Sequence, residues 1–421
     1  MDKNTYKTYL DILRSELVPA MGCTEPIAIA LTAAVAKKHL DGNVKSVEVC
    51  VSGNIIKNVK SVMVPNTGGL RGINAATAAG IVAGKAENEL EVLAGITEDE
   101  REKIAEFLEN TEITVKEAQS EYILDIGITL KSEGHKVYAR TAQHHQGLCL
   151  IEVDGERIFE KAVEENAGDI DHSLLSIESI LEFADTADIS DVREILERQI
   201  TYNTAIAKEG LTGKYGAAIG RTLLMSYGDT VHNRAKAWAA AGSDARMNGC
   251  ELPVIINSGS GTQGMTASLP VIVYANELGV SRELLYRALL VSNLTTIHLK
   301  TGIGCLSAYC GVISAGCGAG AGVMYLHGGR FTEISHTIVN ALAINSGVVC
   351  DGAKASCAAK IVSAVESGLL GMQMFMHGKE FYGGDGIVAK SVEDTIRNVG
   401  KLAQNGMAET DREIIRIMLK N

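Results

Sequence analysis

The 421-residue chain lacks an excess of positive charge, a closely spaced cysteine pair and any apolar run rich in Leu and Ile. Lys and Arg total 39 against 51 Asp and Glu, a formal net charge of -12. That balance disfavours a phosphate-backbone partner, so nucleic-acid binding is not expected. Charges interrupt every apolar stretch of the N-terminal MDKNTYKTYLDILRSELVPAMG, so no secretory leader is expected and a cytoplasmic location is. The longest apolar run, 302–326, is built from Gly, Ala, Ser and Cys, with no Trp belt or basic flank. It reads as a closely packed buried helix or helix pair, and no membrane association is expected. The absence of CxxC argues against the usual zinc knuckle, and the tight ferredoxin run of cysteines is missing too. The segment 202–216 fails the GxxxxGK[ST] spacing of a phosphate-binding loop. No internal repeat or low-complexity segment is found. With 46% hydrophobic and 21% charged residues, the composition is that of an ordinary globular protein.

A chain of this length exceeds one compact core, and two domains are expected, 1–190 and 191–421. Helical spacing marks 5–18 and 25–40. Strand-like runs follow at 44–51, 60–64, 112–118, 122–132, 136–142 and 148–153, the last four joined by short polar turns. The first domain is therefore expected to be α+β with an antiparallel sheet. An acidic stretch, 164–191, reads as a helical connector. Beyond residue 192 period-2 alternation disappears, and Ala- and Gly-rich segments with helical spacing at 194–207, 217–226, 229–242, 262–277, 282–294 and 331–345 predict an all-helical domain.

What the sequence has in quantity is cysteine, nine residues. Thiols in a reducing compartment point to metal binding or catalysis, although Cys50, Cys149 and Cys250 read as small core residues. Cys305, Cys310 and Cys317 lie in GIGCLSAYCGVISAGCGAG, and Cys350 and Cys357 in CDGAKASC. Their spacing suits a site assembled from separate helices, of which a three-thiolate iron–sulfur cluster is one example, and it equally suits core packing. In NSGSGTQG, Ser258, Ser260, Thr262 and Gln263 precede an apolar helix, where free N–H groups and hydroxyls can hold a carboxylate or phosphate. GxGxxG at Gly259, Gly261 and Gly264 is a weak dinucleotide signal, because the strand before it is short and no second strand follows at the right distance. Cys23, in MGCTEP, stands at a helix N-terminus, where a lowered pKa would make it a thiolate base or nucleophile. Asn54, Lys57, Asn58, Asn66 and Thr67 sit near Gly turns and can bind an amino acid's charged ends. Of His144 and His145, placed after a strand, at most one would reach a given site.

MGCTEP, SGSGTQG, GIGCLSAYC and CDGAKASC together resemble the L-cysteine desulfidase family, relatives of the iron–sulfur serine dehydratases, along essentially the whole chain. The resemblance implies a [4Fe-4S] cluster bound through Cys305, Cys350 and Cys357, with Cys310 competing with Cys305 for the first role. The spacing after Cys350 is shorter than in the dehydratases. It also implies that Cys23 stands where the dehydratases carry a proposed His base, or is itself a ligand. The implied reaction is non-redox β-elimination from L-cysteine, or from L-serine, to pyruvate and ammonia without pyridoxal phosphate. Cys23 or a base near it would take the α-proton. Ser258, Ser260, Thr262 and Gln263 would bind the substrate carboxylate, and Asn54, Lys57 and Asn66 would complete the pocket. The expected partner is a small amino acid, and the expected assembly a homo-oligomer, a dimer. A thiol- or anion-binding redox sensor without turnover is the rival reading.

Overall fold

The computed structural model describes residues 1–163, 170–304 and 307–420. Its strands are β1 (Pro19–Ala20), β2 (Ser46–Val51), β3 (Glu112–Glu117), β4 (Asp125–Lys131), β5 (Lys136–Ala142), β6 (Leu148–Val153), β7 (Glu156–Glu160) and β8 (Val254–Ile255). The helices of the first half are α1 (Lys3–Glu16), α2 (Thr24–Lys38), α3 (Gly53–Val59), α4 (Gly72–Ala83) and α5 (Glu98–Asn110). Those of the second are α6 (Ile177–Thr186), α7 (Ile189–Thr212), α8 (Ile219–Tyr227), α9 (Val231–Met247), α10 (Gly261–Leu278), α11 (Arg282–Ile303), α12 (Val312–Leu326), α13 (Phe331–Ile344), α14 (Cys357–Met376), α15 (Val392–Lys401) and α16 (Ala408–Lys420). The class is α+β, as the sequence predicts.

Alternation organises the main sheet. In β2, Val47, Val49 and Val51 are buried while the residues between them are half-buried, the period of two that puts one strand face on a core. Six strands are ordered β3-β2-β4-β5-β6-β7. The sheet is mixed rather than wholly antiparallel, because β2 pairs β3 in parallel. A parallel pair needs a crossover connection, and α3, α4 and α5 supply it. The expected strand at 60–64 is absent: α3 runs to Val59, and Met63 makes only an isolated bridge to Arg71. β7 is exposed along its whole length, so it carries no burial pattern that a sequence could show.

α2 is buried nearly all round, wedged between the sheet and α4. Two apolar clusters form. One joins α2, α4 and the inner face of the sheet. The other runs through the helices of the second half and also includes Tyr9, Leu13 and Leu17 of the N-terminal segment and Ile177, Ile180 and Phe183 of α6. α1 and α6 thus pack with the helices, although both precede residue 190.

The glycine-rich run 302–326 ends α11 and forms α12, and no helix among the described residues is long and apolar enough to cross a membrane. α12 and α14 cross backbone to backbone. A Cβ on Gly316 would stand 2.2 Å from the Ala364 carbonyl oxygen, and one on Gly368 2.1 Å from that of Gly316. Gly368→Val is expected to force these helices apart and cost at least about 3 kcal/mol, the upper end for overpacking because the obstacle is backbone. Thermal unfolding checks this, and a melting temperature equal to that of the parent chain would refute the close crossing.

Candidate functional site

The two halves meet at a two-residue ladder. β1 pairs antiparallel with β8, Pro19 opposite Ile255 and Ala20 opposite Val254. This register sets MGCTEP beside NSGSGTQG although more than 200 residues separate them. Thr24 Oγ1 donates to the Gly259 carbonyl at 3.1 Å. Asn257 and Ser260 exchange two backbone hydrogen bonds of 3.1 Å, and Ser258 and Gly259 between them have φ of 48° and 75°, the sign a type I′ turn requires at both central positions. Asn257 Nδ2 donates to Asn293 Oδ1 at 3.0 Å, and Asn293 in turn exchanges amide hydrogen bonds with Gln199. The loop is thus fixed to α11 and α7 by a buried amide network before α10 begins.

Cys23 is the N-cap residue of α2. Its Sγ donates to Glu25 Oε2 at 2.9 Å, and Glu25 also accepts from Thr24 Oγ1 at 3.2 Å and from Asn58 Nδ2 at 3.1 Å. The expected thiolate is corrected by this setting. Burial, then the Glu25 carboxylate, push the Cys23 thiol well above its usual range. A helix N-terminus favours an anion by about 0.3–1 kcal/mol, whereas burying an ionised group costs about 4–7 kcal/mol, so burial wins. Cys23 is a thiol held on a carboxylate.

His144 and His145 lie in the hairpin loop joining β5 to β6, not on a strand, so strand alternation does not govern them. His145 faces the same place as Cys23. A Cβ on Gly259 would stand 3.7 Å from its Cε1, and the Glu25 and Arg246 charges both act on it. Its Nε2 is buried and has no hydrogen-bond partner among the described residues. Burial lowers its pKa below the ordinary imidazole value, leaving a neutral ring.

The late cysteines gather where the segment before α12 bridges the segment before α14. Tyr309 and Val349 form an antiparallel bridge, with Cys310 N–H donating to Val348 O at 2.8 Å and Cys350 N–H to Ala308 O at 2.7 Å. That register puts Cys310 and Cys350 on one face as diagonal neighbours, near enough for their thiols to shift each other's titration. Cys310 pulls the Cys350 thiol down, assisted by the Lys57 and Lys360 ammonium groups, while Cys310 is pushed up. Cys357 opens α14 close enough to feel the Cys350 charge, and its Sγ lies 3.8 Å from the Gly352 carbonyl oxygen. Gly352 itself, with φ of 93°, presses on α3, where a Cβ would stand 2.2 Å from the Lys57 carbonyl oxygen. Asp351 is ion-paired to Lys354 and Lys360. Cys317 is buried within α12, away from this role, its thiol pushed up to about 12 by burial.

Gln263 links the two groups. It is buried, its Oε1 lacks a partner, and its amide lies where a Cβ on Gly311 would be, 2.6 Å from its Cδ. Thr262 accepts from Arg246 Nη1 at 3.0 Å. Ser260 is the N-cap residue of α10 but makes no side-chain cap, and Ser258 Oγ donates to Asn257 Oδ1 at 2.9 Å. Lys57 is buried and ion-paired with Asp411 of α16, and its charge also acts on Cys350. Asn66 donates its side-chain amide to the Leu93 carbonyl at 2.7 Å and adopts φ of 61°, which ties it into a turn. Asn54 Oδ1 is buried and unpaired. Cys305 lies outside the described residues. Glu25 and Arg246 were not singled out by the sequence. A charged residue inside the Ala-rich α9 was the available signal for Arg246, since lone charges are rarely buried without a task.

Among the described residues no three His, Cys, Asp or Glu side chains are gathered as a group that could hold a metal ion, and Cys305 lies outside those residues. Three soft sulfur donors from two adjoining segments, with two lysines offsetting their charge, are donors of the kind iron–sulfur groups use.

Residues 87–416 match the serine dehydratase alpha chain family, and the chain belongs to it. Proteins similar along their whole length include a UPF0597 protein of Desulfitobacterium hafniense, 59% identical over 98% of this chain and 97% of that one. UPF0597 proteins of Lachnoclostridium phytofermentans, 52% identical over 98% and 100% of the two chains, and of Treponema denticola, 45% identical over 100% of both, match similarly.

Proposed function

We propose that this member of the serine dehydratase alpha chain family is an L-cysteine desulfidase, eliminating sulfide from L-cysteine to leave pyruvate and ammonia, with L-serine as the alternative substrate. The observation that supports this reading is the meeting of three elements at one interface: the thiols of Cys310, Cys350 and Cys357, the N-terminus of α10, and the Cys23–Glu25–His145 group. The three thiols would hold a [4Fe-4S] cluster, with Cys305 the other candidate for the Cys310 position. Such a cluster, when bound, supplies a Lewis-acid iron.

The chain's own residues do the rest. Ser258, Ser260, Thr262 and Gln263 present hydroxyl, amide and backbone N–H groups to the substrate carboxylate. Asn54, whose Oδ1 has no partner among the described residues, would border the pocket from the first half, whereas Lys57 and Asn66 are held by Asp411 and Leu93. His145, neutral and with Nε2 unpaired, takes the α-proton. Cys23 keeps its proton and, through Glu25 and Asn58, holds the rim of α2 in place. Burial at the interface excludes water until the aminoacrylate product leaves to hydrolyse. We propose that the enzyme works without pyridoxal phosphate, in the cytoplasm, as a homodimer.

Incubating protein prepared without oxygen with L-cysteine and with L-serine, then measuring pyruvate and sulfide, tests this. Pyruvate and sulfide in equal amounts from L-cysteine, faster than pyruvate from L-serine, are expected. Pyruvate from L-serine alone would assign the alternative substrate. No product from either, with iron bound, would reject the reading in favour of a thiol- or anion-binding sensor.

A further inference from the structure

α9 is an unlikely place for a cation. Residues 235–247 are buried almost throughout, mostly as Ala, yet they include Arg246, which is 4% exposed. Its Nη1 donates to Thr262 Oγ1, its Nε has no acceptor, and it forms no ion pair among the described residues. A guanidinium out of water with its donors unmet is costly. Its position adds to the cost. A Cβ on Gly261 would stand 2.5 Å from Nε and 2.9 Å from Cζ, so the group rests on the first residue of α10. The free N–H groups of that 18-residue helix carry the positive end of its dipole. Two positive partners therefore adjoin, and one anion between them would satisfy both.

Among the described residues none supplies that anion. Asp244, two residues earlier, accepts from the Gly220 N–H at 3.2 Å. Glu25 is engaged by Cys23, Thr24 and Asn58 and makes no ion pair with Arg246. An anion from outside would fill that role, and a small one suits the place, because Cys23 and His145 stand near Arg246. A planar guanidinium beside a hydroxyl and a row of N–H groups suits a carboxylate.

We propose that Arg246 anchors the α-carboxylate of a small amino acid or 2-oxo acid, with Thr262 and the N-terminal N–H groups of α10 as co-ligands. This deepens the substrate reading above and rests on it for the identity of the pocket. Binding can be measured without turnover, so the two can fail separately. The probes are L-alanine, which has no leaving group, pyruvate, and L-alaninamide, which lacks the carboxylate. Titration calorimetry on the whole chain should show L-alanine and pyruvate binding and L-alaninamide not binding. Arg246→Gln should weaken L-alanine binding by about 100-fold, the effect of losing a charged hydrogen-bond partner. Arg246→Lys, which keeps the charge but not the fork, should fall between. Removing an unpaired buried charge should leave the ligand-free melting temperature of Arg246→Gln unchanged or raised, which separates lost binding from lost folding. Binding of pyruvate but not of L-alanine would uphold the carboxylate anchor and sink the amino-acid reading. L-alaninamide binding as tightly as L-alanine, or Arg246→Gln retaining affinity within threefold, would overturn the proposal.

Discussion

Cys350→Ser, prepared without oxygen, should lose bound iron, visible absorbance and all turnover while keeping its helical circular dichroism. Three arguments make this the largest single effect. Cys350 is the sulfur most favoured as thiolate, because Cys310, Lys57 and Lys360 all act on it. Thiolate, not thiol, is the form that ligates metal. Serine is nearly the same size but its hydroxyl does not ionise there, so the half-buried position is still filled while the ligand is gone. Cys317→Ser, in the core of α12, should instead lower stability and leave the iron in place. Turnover by Cys350→Ser with no iron bound would reject the proposed mechanism.

His145→Gln should lower kcat by about 10²–10⁴-fold, the usual contribution of a positioned general base, with KM little changed. The pH dependence has a definite sign. A base works deprotonated, so activity falls on the acid side as the ring protonates. Burial lowers the His145 pKa from 6.5, so the acid limb of kcat/KM should lie below pH 6.5 and should vanish in His145→Gln. Glu25, His144 and Arg246 all act on this ring, and Glu25→Gln should move the limb to still lower pH, because the Glu25 charge favours the protonated ring. A kcat within threefold of the parent enzyme would give the proton transfer to another group.

Much of the fold could be read from the residues, for identifiable reasons. Strands with one buried face, such as β2 and β5, announce themselves by alternation. β7, exposed along its length, does not. The parallel β2–β3 pair depends on the crossover through α3 to α5, a tertiary event that local pattern does not encode. α4 is buried on most sides and, Asn74 and Thr77 apart, apolar, so it shows little of the periodicity that reveals an amphipathic helix.

At the site, Cys350 and Cys357 stood out through their own spacing and the resemblance. Cys310 stands beside Cys350 because of a bridge register across some forty residues, which spacing alone cannot supply. Cys23 shows where a local rule fails: position at a helix start argues for a thiolate, and burial beside Glu25 reverses it. Arg246 owes its place to the packing of α9 against the start of α10; a charge inside an Ala-rich helix signals a buried task, but which site it serves is set by tertiary packing.

The central claim is that the chain folds its late cysteines around an inorganic iron–sulfur core. Iron and acid-labile sulfide, assayed per chain on protein made and kept without oxygen, test it most directly. Close to four of each per chain, with a visible absorbance that bleaches in air, is the predicted result. Protein with neither iron nor sulfide after anaerobic reconstitution, or with one zinc ion in their place, would contradict it.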